Sequence, residues 1–226
     1  MALILSLETS TDVCSVALHD SGKLVSHQIH QVEKSHSSLL PGIALDICGE
    51  AGIDMKSLSA ISVSEGPGSY TGLRIGISTA KGFAYTLKIP IIAVPTLDVM
   101  LEAVRGKFKG DHLLCAMMDA RRMEVYLKME NQEGAEIWAT QPMILDERSF
   151  SEYSLPVYLF GNGMPKFRDI TMQENLLFID GIVPDAANMG ILAFSKFQAK
   201  DFEDVAYFEP NYLKEWRTTT PKKKLV

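Results

Sequence analysis

The chain has 226 residues, 46% of them hydrophobic, and a formal net charge of −6. That is material for one large or two small domains around a sizeable core, while the negative balance argues against a broad basic surface for nucleic acid. No apolar run approaches the roughly 20 residues of a membrane span, so no membrane association is expected. Met1-Ala2-Leu3 leads straight into a strand pattern without a basic leader. Cys14, Cys48 and Cys115 are scattered and read as reduced small hydrophobes, which points to a cytoplasmic protein.

Residues 2–8 and 12–19 have strand composition and are joined by the polar turn Thr9-Ser10-Thr11, and Gly22 opens a third strand over Lys23–His30. A helical pattern follows, in which His36, Leu40, Ile43, Ala44 and Ile47 share a core stripe. Ser35, Ser38, Leu39, Gly42, Leu45, Asp46 and Gly49 fall on the far side. Two leucines among small residues there suit a partner helix better than water. Pro41 predicts that this helix starts or kinks at that residue.

The apolar run Ala60–Val63 leads into Ser64-Glu65-Gly66-Pro67-Gly68-Ser69-Tyr70-Thr71-Gly72, and helix-compatible residues continue to Lys88. A strand, a glycine turn and a helix can present backbone N–H groups to an anion, or simply allow close packing. The glycine spacing matches neither the dinucleotide fingerprint nor the P-loop. Gly72, Leu73, Gly76, Ile77, Ala80, Phe83, Ala84 and Leu87 gather on the sheet side of the predicted helix. Tyr70, Thr71, Arg74, Ser78, Lys81, Gly82 and Tyr85 gather on the other, with no acid among them. Tyr and Arg are enriched at protein interfaces, so this side is either a docking face or a solvated one.

The opening pattern then recurs at Leu113–Asp119, at Met123–Met129 and after Gly134. Glu8 and Asp119 lie 111 positions apart, and Gly22 and Gly134 lie 112 apart, which suggests a duplicated lobe. A boundary near 106 is expected, with an N-terminal lobe over 1–106, a C-terminal lobe over 107–226 and a flexible tail at about 217–226.

Taken in order, Leu3-Ile4-Leu5-Ser6-Leu7-Glu8-Thr9-Ser10-Thr11, Cys14-Ser15-Val16-Ala17-Leu18, Ser35-His36-Ser37-Ser38-Leu39-Leu40-Pro41, the Gly-Pro-Gly turn and Ile89-Pro90-Ile91-Ile92-Ala93-Val94-Pro95-Thr96-Leu97 closely resemble the TsaB (YeaZ) family. The tail Pro210-Asn211-Tyr212-Leu213-Lys214 is similar to that family's Pro-x-Tyr-Leu-Arg. The resemblance implies an α/β, two-lobed actin/Hsp70/sugar-kinase-like fold, each lobe a mixed sheet with flanking helices. It also implies a non-catalytic dimerisation subunit of the machinery that makes threonylcarbamoyladenosine in tRNA. The implied partners are a TsaD-like catalytic subunit, a TsaE-like ATPase through the complex, tRNA only indirectly, and a second copy when the chain is alone. The helix faces holding Ser35, Ser38, Leu39, Gly42, Leu45, Asp46, Tyr70, Arg74, Ser78, Lys81 and Tyr85 are the implied docking residues.

In folds of this type the turns after the first strand of each lobe hold nucleotide phosphates. Here Glu8, Thr9 and Ser10 form the first and Asp119-Ala120-Arg121-Arg122 the second, both without glycine, so at most a vestigial nucleotide site is expected. The catalytic relative TsaD carries a pair of His ligands at i and i+4 in a segment that corresponds to Val94–Met100. Thr96 and Met100 stand there instead, and a hydroxyl and a thioether are poor ligands for zinc or iron. No metal, cofactor or catalytic residue is therefore expected. The alternative is a metal- or nucleotide-dependent enzyme of the same fold, such as a glycoprotease-like hydrolase. It lacks H-E-x-x-H, and Ser69 is not in a nucleophile elbow.

Overall fold

The structure, a computed structural model, describes residues 1–31 and 36–213, without the side chains of residues 36–38. Strands β1 (Leu3–Glu8), β2 (Val13–Asp20) and β3 (Lys23–Gln31) form an antiparallel meander. Helix α1 (His36–Glu50), strand β4 (Ala60–Gly66), helix α2 (Tyr70–Leu87), strand β5 (Ile91–Pro95) and helix α3 (Thr96–Val104) follow. β4 pairs parallel with β1 and β5 parallel with β4, giving the order β3-β2-β1-β4-β5. The inner strands are covered on both faces, which is why Leu3–Leu7 and Ala60–Val63 are almost unbroken apolar runs.

A second sheet repeats the plan. β6 (Leu113–Asp119), β7 (Glu124–Asn131) and β8 (Glu136–Ile144) form the meander, then β9 (Val157–Phe160), the one-turn helix α4 (Pro165–Arg168), β10 (Leu176–Ile179) and helix α5 (Gly190–Ala199) complete it. Its order is β8-β7-β6-β9-β10, position for position that of the first sheet, with β9 parallel to β6 and β10 parallel to β9. Gly22 and Gly134 turn equivalent hairpins at φ +83° and +82°. The duplication and the two-lobed actin/Hsp70/sugar-kinase-like class are both realised.

The two halves exchange their last helices across the expected division at 106. Leu97, Met100, Leu101 and Val104 of α3 pack with Leu114, Ala116, Met118 and Phe160 of the second sheet. In return, Ala186, Met189 and Ala193 cover Ile4, Ala17, Ala60, Ile92 and Val94 of the first. Residues 203–213 also return to the first sheet: the Glu203 amide donates to Ile91 O (2.9 Å), the Asn211 amide donates to Glu65 O (2.8 Å), and Phe208 is buried between them. The expected tail at 217–226 lies outside the described residues. Met100 and the rest of the α3 stripe fill the space between the sheets.

Candidate functional site

The two outward helix faces come first. α1 buries Leu40, Ile43, Ala44 and Ile47 against the first sheet and leaves Leu39, Gly42, Leu45, Asp46 and Gly49 exposed, with Leu45 54% accessible. The helix begins before Pro41 and runs through it, so it does not start at that residue. Ser35 lies outside the described residues, as does the side chain of Ser38. α2 is capped by Ser69, whose Oγ accepts from the Gly72 amide (3.3 Å), and ends where Lys88 takes a left-handed φ of 57°. Gly72, Leu73, Gly76, Ile77, Ala80 and Ala84 are buried, and Phe83 and Leu87 pack partly buried against the same core. Tyr70, Thr71, Arg74, Ser78, Gly82 and Tyr85 are exposed, Tyr85 to 80%. α1 packs on α2, so the two exposed faces are neighbours.

Two of the outward residues are not simply solvated. Lys81 is half-buried, and its ammonium donates to Ala206 O (3.3 Å). The Arg74 Nε–H donates to the Tyr212 hydroxyl (3.0 Å), and its Cζ lies 4.1 Å from the centroid of the Tyr70 ring. Tyr70 and Tyr212 stack with centroids 5.1 Å apart. The returning segment thus runs along the flank of α2 and joins its surface. The sequence singled out the Tyr212 motif but gave it no role on this face. A helical projection of residues 70–87 alone contains no trace of a strand-like segment more than a hundred positions away.

The first acidic turn is closed by packing. Glu8, Thr9 and Ser10 are fully buried. The Thr9 hydroxyl donates to Gly72 O (2.8 Å), and the Ser10 amide donates to Glu8 Oε1 (2.6 Å). A methyl group on Gly72 would collide with the Thr9 carbonyl oxygen, and one on Gly68 would stand 2.6 Å from Ser10 Cβ. The glycines therefore serve close packing of the helix start on the turn, the second of the two readings that the sequence left open. Burial pushes the Glu8 carboxyl above its ordinary range, and its contacts with Ser10 and Ser64 offset only part of that shift. As a phosphate-binding element the Thr9 hydroxyl is spent on the helix.

The second turn is open, at one side of a cleft of about 720 Å³ between the lobes, lined among others by Thr11, Ser69, Tyr70, Arg121, Asn162 and Tyr212. Asp119 is exposed, but its carboxylate pairs with Lys166 and accepts from the Arg121 amide (3.2 Å). Arg121 and Arg122 are both exposed, with left-handed φ of 70° and 51°. Of the four expected nucleotide-site residues, Glu8 and Thr9 are sealed beneath α2, whereas Ser10 and Asp119 both border this cleft, Asp119 with its carboxylate paired to Lys166.

Thr96 and Met100 stand one turn apart on α3 and are fully buried, with Met100 among Leu97, Leu101, Leu114 and Phe160. Among the described residues, no three His, Cys, Asp or Glu side chains gather as metal ligands. The three thiols are buried and unpaired. Burial, and then Glu8, push Cys14 up to about 11. Sequence reasoning also missed a polar row across the first sheet. The Ser62 hydroxyl donates to Ser6 Oγ (2.7 Å), Ser6 Oγ meets His19 Nδ1 (3.2 Å), and Ser15 Oγ accepts from the Ala186 amide (2.8 Å). Its signal was the serines alternating with aliphatics in β1, β2 and β4, and its role is to seat residues 185–190 on the sheet.

Residues 24–152 match a family model described as "TsaD: tRNA N6-adenosine threonylcarbamoyltransferase". The chain is 30% identical over 220 residues to the tRNA threonylcarbamoyladenosine biosynthesis protein TsaB of Escherichia coli K12, covering 93% of this chain and 94% of that one. It is also 30% identical to the Bacillus subtilis protein of the same name, covering 93% of each. Among solved structures, YeaZ from Pseudomonas aeruginosa superposes with a TM-score of 0.82 at 25% identity, over 94% of this chain and all of that one. A second Pseudomonas aeruginosa structure, described as similar to the peptidase YeaZ, gives 0.82 at 26% identity, over 95% of this chain and all of that one.

Proposed function

The chain belongs to the TsaB family of tRNA threonylcarbamoyladenosine biosynthesis proteins, and from that premise we propose that it is a non-catalytic docking subunit that binds and activates a TsaD-like threonylcarbamoyltransferase. The observation that carries the reading is the joint outward face of α1 and α2. Leu39 and Leu45 stand exposed among small residues, beside Tyr70, Arg74, Ser78 and Tyr85. Such a face offers apolar area, close backbone approach and fixed cations to a partner helix pair.

The same frame argues against chemistry of its own. A nucleotide phosphate would need the first acidic turn, and α2 occupies it. A metal would need ligands at the first and second turns of α3, and a hydroxyl and a thioether are packed there. We therefore place catalysis on the TsaD-like partner, a TsaE-like ATPase in the larger complex, and most tRNA contact on those subunits. A face shaped for a related subunit also accepts a copy of itself, so the free chain should form a homodimer. The setting of this activity is the cytoplasm.

Mixing the purified chain with the TsaD-like subunit of the same organism tests the proposal. A stable complex that restores tRNA modification to an otherwise idle catalytic subunit is the expected result. Failure to associate, or ATP hydrolysis by the chain alone, would overturn it.

A further inference from the structure

We propose that Tyr212 is a positioning residue, which holds the Arg74 guanidinium ready to grip a carboxylate on the docked partner. The inference rests on the docking role above and supplies the chemistry of one contact within it. An arginine on an open helix face ordinarily samples many rotamers, and freezing it on binding costs affinity. Arg74 is restrained beforehand. Its Nε–H donates to the Tyr212 hydroxyl at 3.0 Å, and the plane lies against the Tyr70 ring at 4.1 Å. The two rings stack on one another at 5.1 Å. Tyr212 is itself fixed from behind, because the Asn211 amide is tied to Glu65 O (2.8 Å) and Phe208 is buried in the core.

With Nε occupied, the two terminal Nη groups remain without a hydrogen-bond partner among the described residues. They border a groove of about 410 Å³ lined by Tyr70, Thr71, Arg74, Ile75, Ser78 and Thr79. The lining brings four hydroxyls and a guanidinium together with no acid among them, the acid felt by Arg74 being Glu209 outside the groove. Such a lining fits a group that only accepts hydrogen bonds, and a guanidinium edge matches a carboxylate in two parallel bonds. A phosphate would draw on further cations, but the neighbouring Lys81 is turned to Ala206 O (3.3 Å). A carboxylate on the partner subunit is the better match.

The test is a double-mutant cycle on the full chain, read as the affinity for the TsaD-like subunit of the same organism. Arg74→Lys keeps the charge and loses the planar fork, and should weaken binding about tenfold, the scale of one charge-assisted hydrogen bond. Tyr212→Phe keeps the stack and loses the hydroxyl. It should weaken binding several-fold in the wild-type background and have no effect in an Arg74→Ala background, with unchanged melting curves. In the free protein, the Arg74 Nε–H proton should exchange slowly with solvent and should speed up in Tyr212→Phe. Wild-type affinity in both Arg74→Lys and Tyr212→Phe overturns this inference and leaves the docking proposal standing. So does an equal loss from Tyr212→Phe on the Arg74→Ala background. Absence of binding by the wild type removes both. Arg74-dependent binding of tRNA by the isolated chain would assign the groove to phosphate and overturn the carboxylate assignment.

Discussion

The two halves of the molecule build the same five-stranded sheet in the same order, yet they fill its crossovers differently. Between the third and fourth strands the first half carries the 15-residue helix α1, where the second has no helix of its own. Between the fourth and fifth strands the first half carries the 18-residue α2, and the second the four-residue α4. The difference reaches the acidic turns. In the first half α2 presses its glycine-bearing start onto Glu8-Thr9-Ser10 and buries it, whereas Asp119 and the arginines after it stand open. The two frames are alike in topology, and the first combines a closed acidic turn with a long helix that has an exposed outer face. That combination is the physical content of a scaffold reading.

The sharpest way to break the comparison is to wedge the closed turn open. Gly72→Ala places a methyl group against the Thr9 carbonyl, which is backbone and cannot swing away. Overpacking of this kind should destabilise the fold by about 3 kcal/mol, seen as a large drop in the denaturation midpoint. An unchanged midpoint would mean that α2 does not seal the turn.

Next in size is a loss of partner affinity without a loss of fold. Arg74→Glu with Lys81→Glu puts carboxylates on the outer face of α2. Lys81 is half-buried, so a stability cost of about 1 kcal/mol is expected, at the upper end for surface positions. Binding to the TsaD-like subunit should fall by several kcal/mol if cations are required there. Titration calorimetry beside a thermal melt separates the two effects, and normal binding by a folded double variant would contradict the docking face.

A smaller effect should follow pH. Burial holds the folded Glu8 carboxyl above its ordinary value of 4.5, so the folded chain keeps a proton that the unfolded chain releases. That contribution to stability is complete below about pH 4.5 and drains away as pH rises toward the folded value. Glu8→Gln cannot ionise and should therefore gain on the wild type at pH 8 but not at pH 4.5. Melting curves at the two pH values check the sign, and a gain at acid pH alone would reverse the assignment. The smallest change is expected in the open turn. Arg121→Gly relieves a left-handed φ of 70° at an exposed site, and should shift stability by no more than about 1 kcal/mol in either direction. A large loss would show that the second turn is as structural as the first.

Much of this frame is legible in the sequence, because strand alternation and helix period are local. The strand–turn–strand units that recur at Glu8 and Asp119, and the buried side of residues 70–87, can each be read from neighbours a few positions apart. What the sequence conceals is long-range exchange. Nothing in Gly190–Ala199 says that it covers the first sheet, since its apolar residues would suit either one equally well. Tyr212 sits beside Arg74 where the Asn211 amide is tied to Glu65 O, more than a hundred positions away in the chain. Lys81 projects outward on a helical wheel, and it is half-covered because residues 203–213 return beside it. The fate of the glycine turn was undecidable at the sequence level, because an anion cradle and a packing surface call for the same residue.

The central claim, that the helices of the first half and not the matching region of the second form the docking face, is tested most directly by hydroxyl-radical footprinting of the chain with and without the TsaD-like subunit. Leu45 and Tyr85 report on α1 and α2, while Ile144 and Met172, 73% and 95% accessible, report on the second half. The account predicts strong protection of Leu45 and Tyr85 on complex formation, with Ile144 and Met172 oxidised as before. Protection of Ile144 and Met172 with Leu45 and Tyr85 still open would contradict it.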